Sequence, residues 1–173
     1  VPGPVEERAD SGFVYYSRYF HHPGRPPRGD RYVLSHHPSW SVLTLPGDRR
    51  TSCVVLLTSD RDRQARSLRH ERIWTAVVRC LPNTAAWVQD AHPLTTVMPI
   101  AGIEDIRRSY LRTDEPIATD ILAIGDSAIA TNPALGRGAT IGVLQSAALR
   151  DLLAKPVGDG RELARELELE TAT

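Results

Sequence analysis

The chain has 173 residues, about the length of one domain, and its 41% hydrophobic and 24% charged residues are a globular composition that excludes disordered and fibrous classes. The 21 basic and 21 acidic residues cancel, and Lys155 is the only lysine, so arginines lie interleaved with acids and no nucleic-acid or anionic-membrane partner is expected. No apolar run approaches the roughly 18 residues of a spanning helix and no signal-peptide pattern opens the sequence, so the expectation is a soluble, cytoplasmic protein.

Residues 1–11, rich in Pro, Gly and charge, are expected as a loop or linker. Four runs rich in aromatic and β-branched residues follow, at 13–20, 31–37, 41–45 and 52–58, and each reads as a strand. The segments between them carry turn chemistry and are too short for parallel crossovers, so the sheet is expected to be an antiparallel meander. Residues 60–81 read as one helix capped at Asp60 to Asp62, with Leu68, Ile73, Trp74, Val77, Val78 and Leu81 at helical spacing until Pro82. Its arginines are expected on a solvated face. Cys53 and Cys80 both lie in apolar stretches without metal or redox spacing, and are expected as buried free thiols.

A further strand is expected at 95–100, and 103–111 fits either a strand or a short helix. Residues 117–124 contain Ile121, Leu122, Ala123 and Ile124 in succession, the mark of a strand buried on both faces. Residues 139–154 carry Ile141, Leu144, Ala148, Leu149 and Leu152 at helical spacing, with Gly136 and Gly138 at the entrance, and 161–170 form a charged helical pattern. The fold class is therefore α+β, with a mainly antiparallel sheet and its packing helix over 12–112 and a strand–loop–helix piece over 113–173.

The segment that carries chemistry runs from Gly125 to Thr140. Asp126 sits at the end of an apolar run, and the loop through Pro133, Gly136, Arg137 and Gly138 leads into Ala139 and Thr140 at a helix start. First-turn amides of a helix lack internal partners and carry about half a positive charge, so an anionic or carbonyl-rich group is favoured there. Glycines at 136 and 138 admit a flat ligand and permit positive φ. An ionised Asp126 only accepts hydrogen bonds, which suits hydroxyls of a polyol. The dinucleotide pattern G-x-G-x-x-G fails by one position, since Gly142 follows rather than a glycine at 141, and no P-loop is present. A plain strand-to-helix turn remains the alternative.

Gly125-Asp126, then Pro133-x-x-Gly136-x-Gly138, then an apolar helix ending in Leu149-Arg150-Asp151-Leu152-Leu153, closely resembles the second flavin-binding motif of FAD-dependent aromatic hydroxylase-like monooxygenases, a superfamily that includes p-hydroxybenzoate hydroxylase, geranylgeranyl reductases and flavin-dependent halogenases. The resemblance extends over roughly residues 12–154. It departs from the pattern at Ile129, where many relatives carry His, and at Thr140, where many carry Asn. It implies FAD as cofactor, with NADH or NADPH as reductant. Asp126 is then expected to accept from the ribityl chain, and Gly125, Pro133, Gly136, Arg137, Gly138, Ala139 and Thr140 to line the flavin. It also implies that the dinucleotide-binding half of the family is missing, leaving a fragment inactive by itself. The complete enzyme would hydroxylate or epoxidise a hydrophobic or aromatic small molecule, and Tyr16 and Arg18 are the substrate-binding candidates. The rival is a non-catalytic α+β module gripping a hydrophobic ligand or partner chain. The pairs His21-His22 and His36-His37 alternate across strands, so no metal site is expected. No hydrolase elbow and no halogenase W-x-W-x-I-P stretch occurs.

Overall fold

The computed structural model describes residues 3–27, 33–119, 121–156 and 158–171. In chain order these form β1 (Val5–Asp10), β2 (Phe13–His21), β3 (Leu34–His36), β4 (Trp40–Pro46) and β5 (Thr51–Ser59), then helices α1 (Glu71–Cys80) and α2 (Pro82–Val88). The short strands β6 (His92–Pro93) and β7 (Met98–Ile100) come next, followed by β8 (Glu104–Ser109), β9 (Leu111–Arg112), β10 (Glu115–Pro116) and β11 (Ile129–Ala130), and by α3 (Arg137–Leu153) and α4 (Gly160–Thr171). Every strand pairing among the described residues is antiparallel, which makes the class α+β. The chain divides into two compact units, Gly12–Ile103 and a second that joins Val1–Ser11 to Glu104–Thr173.

In the first unit the sheet order is β3-β4-β5-β2-β6, with β7 also on β2. β5 is central and almost wholly buried, as expected of a run of Cys53, Val54, Val55, Leu56 and Leu57. Tyr16, Phe20, Val42, Val54 and Leu56 share one sheet face and pack against Leu68, Trp74 and Val78. Trp74 anchors this core: it stacks on Phe20 with centroids 5.9 Å apart, and its indole Nε1 donates to the Tyr16 carbonyl at 2.9 Å. Of the run expected at 31–37, residues 31 and 32 lie outside the described residues.

The single helix expected over 60–81 is two pieces. Asp62 Oδ1 accepts from the Gln64 and Ala65 amides at 2.9 and 3.1 Å, closing a local turn that continues as a 3-10 segment at Ala65–Arg69. His70 is extended (φ −86°, ψ 122°), and α1 starts only at Glu71. Pro82 opens α2 as well as closing the preceding run, since a proline lacks only an amide that a first helical turn leaves unused. Cys53 is buried as expected, but Cys80, at the last position of α1, is exposed.

In the second unit, residues 5–10 are a strand rather than a loop. β1 pairs with β8 in the register Glu6 opposite Arg108 and Asp10 opposite Glu104, and β11 lies on the other side of β8. Arg108 Nε meets Glu6 Oε1 at 2.9 Å and Arg8 Nη1 meets Glu104 Oε2 at 2.5 Å. Charge complementarity therefore sets this pairing, and hydrogen bonds from Arg8 and then Arg108 lower the Glu6 pKa. Residues 104–109 are a strand, which resolves the two readings of 103–111. β9 and β10 form a tight hairpin with Thr113 and Asp114 both left-handed (φ 50° and 65°). Over 117–124 the expected doubly buried strand is absent among the described residues, of which 120 is not one. Ile121 is 70% exposed there, because a doubly buried strand needs cover on both faces and none is supplied to this side chain.

Candidate functional site

The site is built within the second unit by α3 and the 125–136 loop. Gly125 adopts φ +60°, a left-handed conformation that a side chain would strain, and starts a short 3-10 turn through Asp126 and Ser127, so the Asp126 carboxylate follows directly on this glycine. Three contacts fix this turn. The Gly125 amide donates to Gln145 Oε1 at 2.6 Å, Arg108 Nη1 donates to the Asp126 carbonyl at 3.0 Å, and the Ser127 hydroxyl donates to the Ile124 carbonyl at 2.6 Å. The Asp126 side chain is exposed, and among the described residues its carboxylate accepts no hydrogen bond.

The loop then passes through buried Asn132. Its amide donates to Asp105 Oδ1 at 2.6 Å and its side-chain oxygen accepts from the Ala134 amide at 2.9 Å, which pins the chain to β8 just before Pro133. Gly136 takes φ +62° as the residue capping α3 and offers no side-chain acceptor, leaving the first-turn amides of α3 uncapped. Of the two loop glycines, which both permit positive φ, Gly136 takes it. Gly138 serves close approach instead, since a Cβ there would stand 3.4 Å from Asp126 Oδ1 and 3.9 Å from Thr131 Oγ1. Thr131 Oγ1 is buried and has no hydrogen-bond partner.

Gly125, Asp126, Pro133, Gly136, Arg137, Gly138, Ala139 and Thr140 thus fall on one continuous turn, loop and helix start, with Asp126 packed against Gly138. Their donor and acceptor set fits the flavin end of FAD: a free carboxylate for ribityl hydroxyls, uncapped amides for the pyrimidine carbonyl edge, and a glycine-lined approach that a Cβ would narrow. Asp105, Arg108, Asn132 and Gln145, which hold this geometry, were not among the sequence candidates. Only Gln145 leaves a sequence signal, because it stands two helical turns after Gly138 and therefore on the same face.

Tyr16 and Arg18, the substrate-binding candidates, lie together on one face of β2. Both are buried on the face that α1 covers, at 4% and 8% exposure. Arg18 directs Nε to the Thr95 carbonyl at 3.0 Å, Nη1 to Thr75 at 3.2 Å and Nη2 to Glu71 at 2.7 Å, and lies over the Phe20 ring. Each of its three side-chain nitrogens thus donates to a neighbour in the same unit. The opposite sheet face carries the pairs Tyr15–Leu57, Ser17–Val55 and Tyr19–Cys53. Tyr19 is half exposed there, and burial pushes the Cys53 thiol pKa upward. His22 Nε2 lies 2.7 Å from Ser52 Oγ, with both residues buried.

Solved flavin-dependent enzymes share this fold. The flavin-dependent brominase Bmp2 superposes with a TM-score of 0.64 at 10% identity, over 98% of this chain and 43% of the brominase. Klebsiella pneumoniae HpxO, solved with FAD, gives 0.59 at 16% identity over 96% and 42%, and the myxobacterial FAD-dependent halogenase CndH gives 0.58 at 18% over 96% and 40%. The chain spans less than half the length of these structures. No family model and no curated protein matches the sequence. No helix among the described residues is long and apolar enough to cross a membrane.

Proposed function

We propose that this chain contributes the flavin-contacting loop and the substrate sheet of an FAD-dependent monooxygenase acting on a hydrophobic or aromatic small molecule. The observation that carries the reading is the free Asp126 carboxylate packed beside Gly138 at the uncapped start of α3. Asp126 accepts from ribityl hydroxyls, and the amides of 137–140 donate to the carbonyl edge and favour negative charge developing beside it by up to about 2 kcal/mol. The chemistry FAD supplies when bound is electron transfer at the expense of NADH or NADPH, and the protein's part is to hold and orient it. On the sheet face opposite α1, Tyr15, Ser17, Cys53, Val55 and Leu57 are buried and Tyr19 is half exposed, so Tyr19 is the side chain of that face offered to an apolar substrate.

The test uses the polypeptide as its gene encodes it, purified and read for flavin absorbance near about 450 nm. A flavin-loaded protein is expected, and Gly138→Val is expected to fold with normal thermal unfolding in the absence of FAD yet to bind FAD poorly. A Gly138→Val protein that folds and binds FAD normally would contradict the loop assignment.

A further inference from the structure

We infer that Gln145 is a positioning residue of the flavin loop, acting through the Gly125 amide to hold Asp126 at the start of α3; the inference rests on the flavin reading of that loop. Gln145 is 3% exposed, in a helix whose other fully buried residue is Leu152, so a polar side chain occupies one of the two deepest positions of α3. Its Oε1 accepts from Gly125 at 2.6 Å, and this bond fixes which end of the amide points to the loop. Gly142, one turn earlier on the same face, brings the helix backbone so close that a Cβ there would lie 3.6 Å from the Gly125 Cα. Gly138, Gly142 and Gln145 thus form one face of α3 against which the Gly125–Ser127 turn lies.

The bond matters because of where it is made. Gly125 is left-handed, and the residue after it is the ligand-facing carboxylate, so a change of backbone at 125 swings Asp126 directly. Gln145 Nε2 is buried without a protein partner and borders a cavity of about 40 Å³ shared with Tyr110, Ile129, Leu167 and Glu168. Oε1 therefore serves the loop, while Nε2 makes no hydrogen bond among the described residues.

In the gene-encoded polypeptide, Gln145→Met keeps length and removes the acceptor, whereas Gln145→Glu keeps an acceptor for the Gly125 amide. Gln145→Met is expected to weaken FAD binding about tenfold, and Gln145→Glu to stay within about threefold of wild type. Hydrogen exchange at the Gly125 amide is expected to be slow in the wild type and the Glu variant. Two variants that both bind as wild type, or that both weaken equally, overturn the inference. So does a Gln145→Met protein with lowered thermal stability but unchanged FAD affinity and flavin spectrum, which is what a purely structural glutamine gives. If Gln145→Met does not fold, fast Gly125 exchange in the wild type overturns the inference and slow exchange in both wild type and Glu variant supports it. Failure of the flavin reading itself is separate: Asp126→Ala then leaves FAD affinity unchanged whatever Gln145 does.

Discussion

The sheet unit and α3 use their apolar residues in opposite ways. Around β5, Trp74, Leu56, Val42, Val54 and Val78 are all at or below 1% exposure, and even Arg18 is enclosed, with each side-chain nitrogen making one hydrogen bond. On α3, Val143 and Leu144 are 68% and 64% exposed, Asp126 beside the helix start is unpartnered, and a glutamine fills one of its two buried positions. On the face that α1 covers, the first region closes on itself and engages Arg18 internally. The second keeps acceptors, amides and apolar surface uncommitted, and there the same residue types are available for binding.

Substitutions sharpen this contrast in a definite order of size. Trp74→Ala removes a fully buried ring, its stacking on Phe20 and its bond to Tyr16, and should cost about 3–5 kcal/mol in chemical denaturation. Asp126→Ala should leave that stability nearly unchanged while weakening FAD binding by about 1.5–3 kcal/mol, roughly tenfold to a hundredfold in a fluorescence titration. Gly136→Val forces a branched side chain to φ +62°, and about 1–2 kcal/mol of destabilisation should appear in thermal unfolding without FAD.

A pH dependence separates the buried core from the exposed loop. Burial first, and the neighbouring His21 second, lower the His22 pKa below 6.5. The unfolded chain then binds the extra proton more readily, so the neutral-His22 contribution is present above pH 6.5 and is lost as pH falls through the window below it. Urea midpoints should decline from pH 7.5 to pH 5.5, and His22→Gln should flatten that decline. The smallest effect is expected on α3: Val143→Ser with Leu144→Ser should change stability by no more than about 0.5 kcal/mol, yet reduce binding of a hydrophobic dye.

What the sequence disclosed follows the same division. β2, β4 and β5 were legible because their aromatic and β-branched runs are separated by turns too short for anything but antiparallel pairing. β1 was not, because its pattern is six exposed residues whose pairing is decided by Arg107 and Arg108 a hundred positions away. The break at His70 was hidden because the apolar stripe of Leu68, Trp74 and Val78 continues across it. Period two grouped Tyr16 with Arg18 but could not say which face α1 would cover. An apolar run at 117–124 fits a buried strand equally well whether or not its cover is supplied. At the loop, Asp126 and Gly136 were singled out by their place in the turn together with the resemblance, whereas Gln145 shares a helix face with Gly138 but its bond to the Gly125 amide shows only in the structure.

The central claim is that the amides at the start of α3, together with Asp126, receive the flavin. Hydrogen exchange at residues 137–140 of the gene-encoded polypeptide, with and without FAD, tests it most directly. Exchange there should slow on FAD addition in the wild type and slow markedly less in Asp126→Ala at equal free FAD, while β5 amides remain unchanged in both. Bound FAD with unaltered exchange at 137–140 would place the flavin elsewhere and contradict the account.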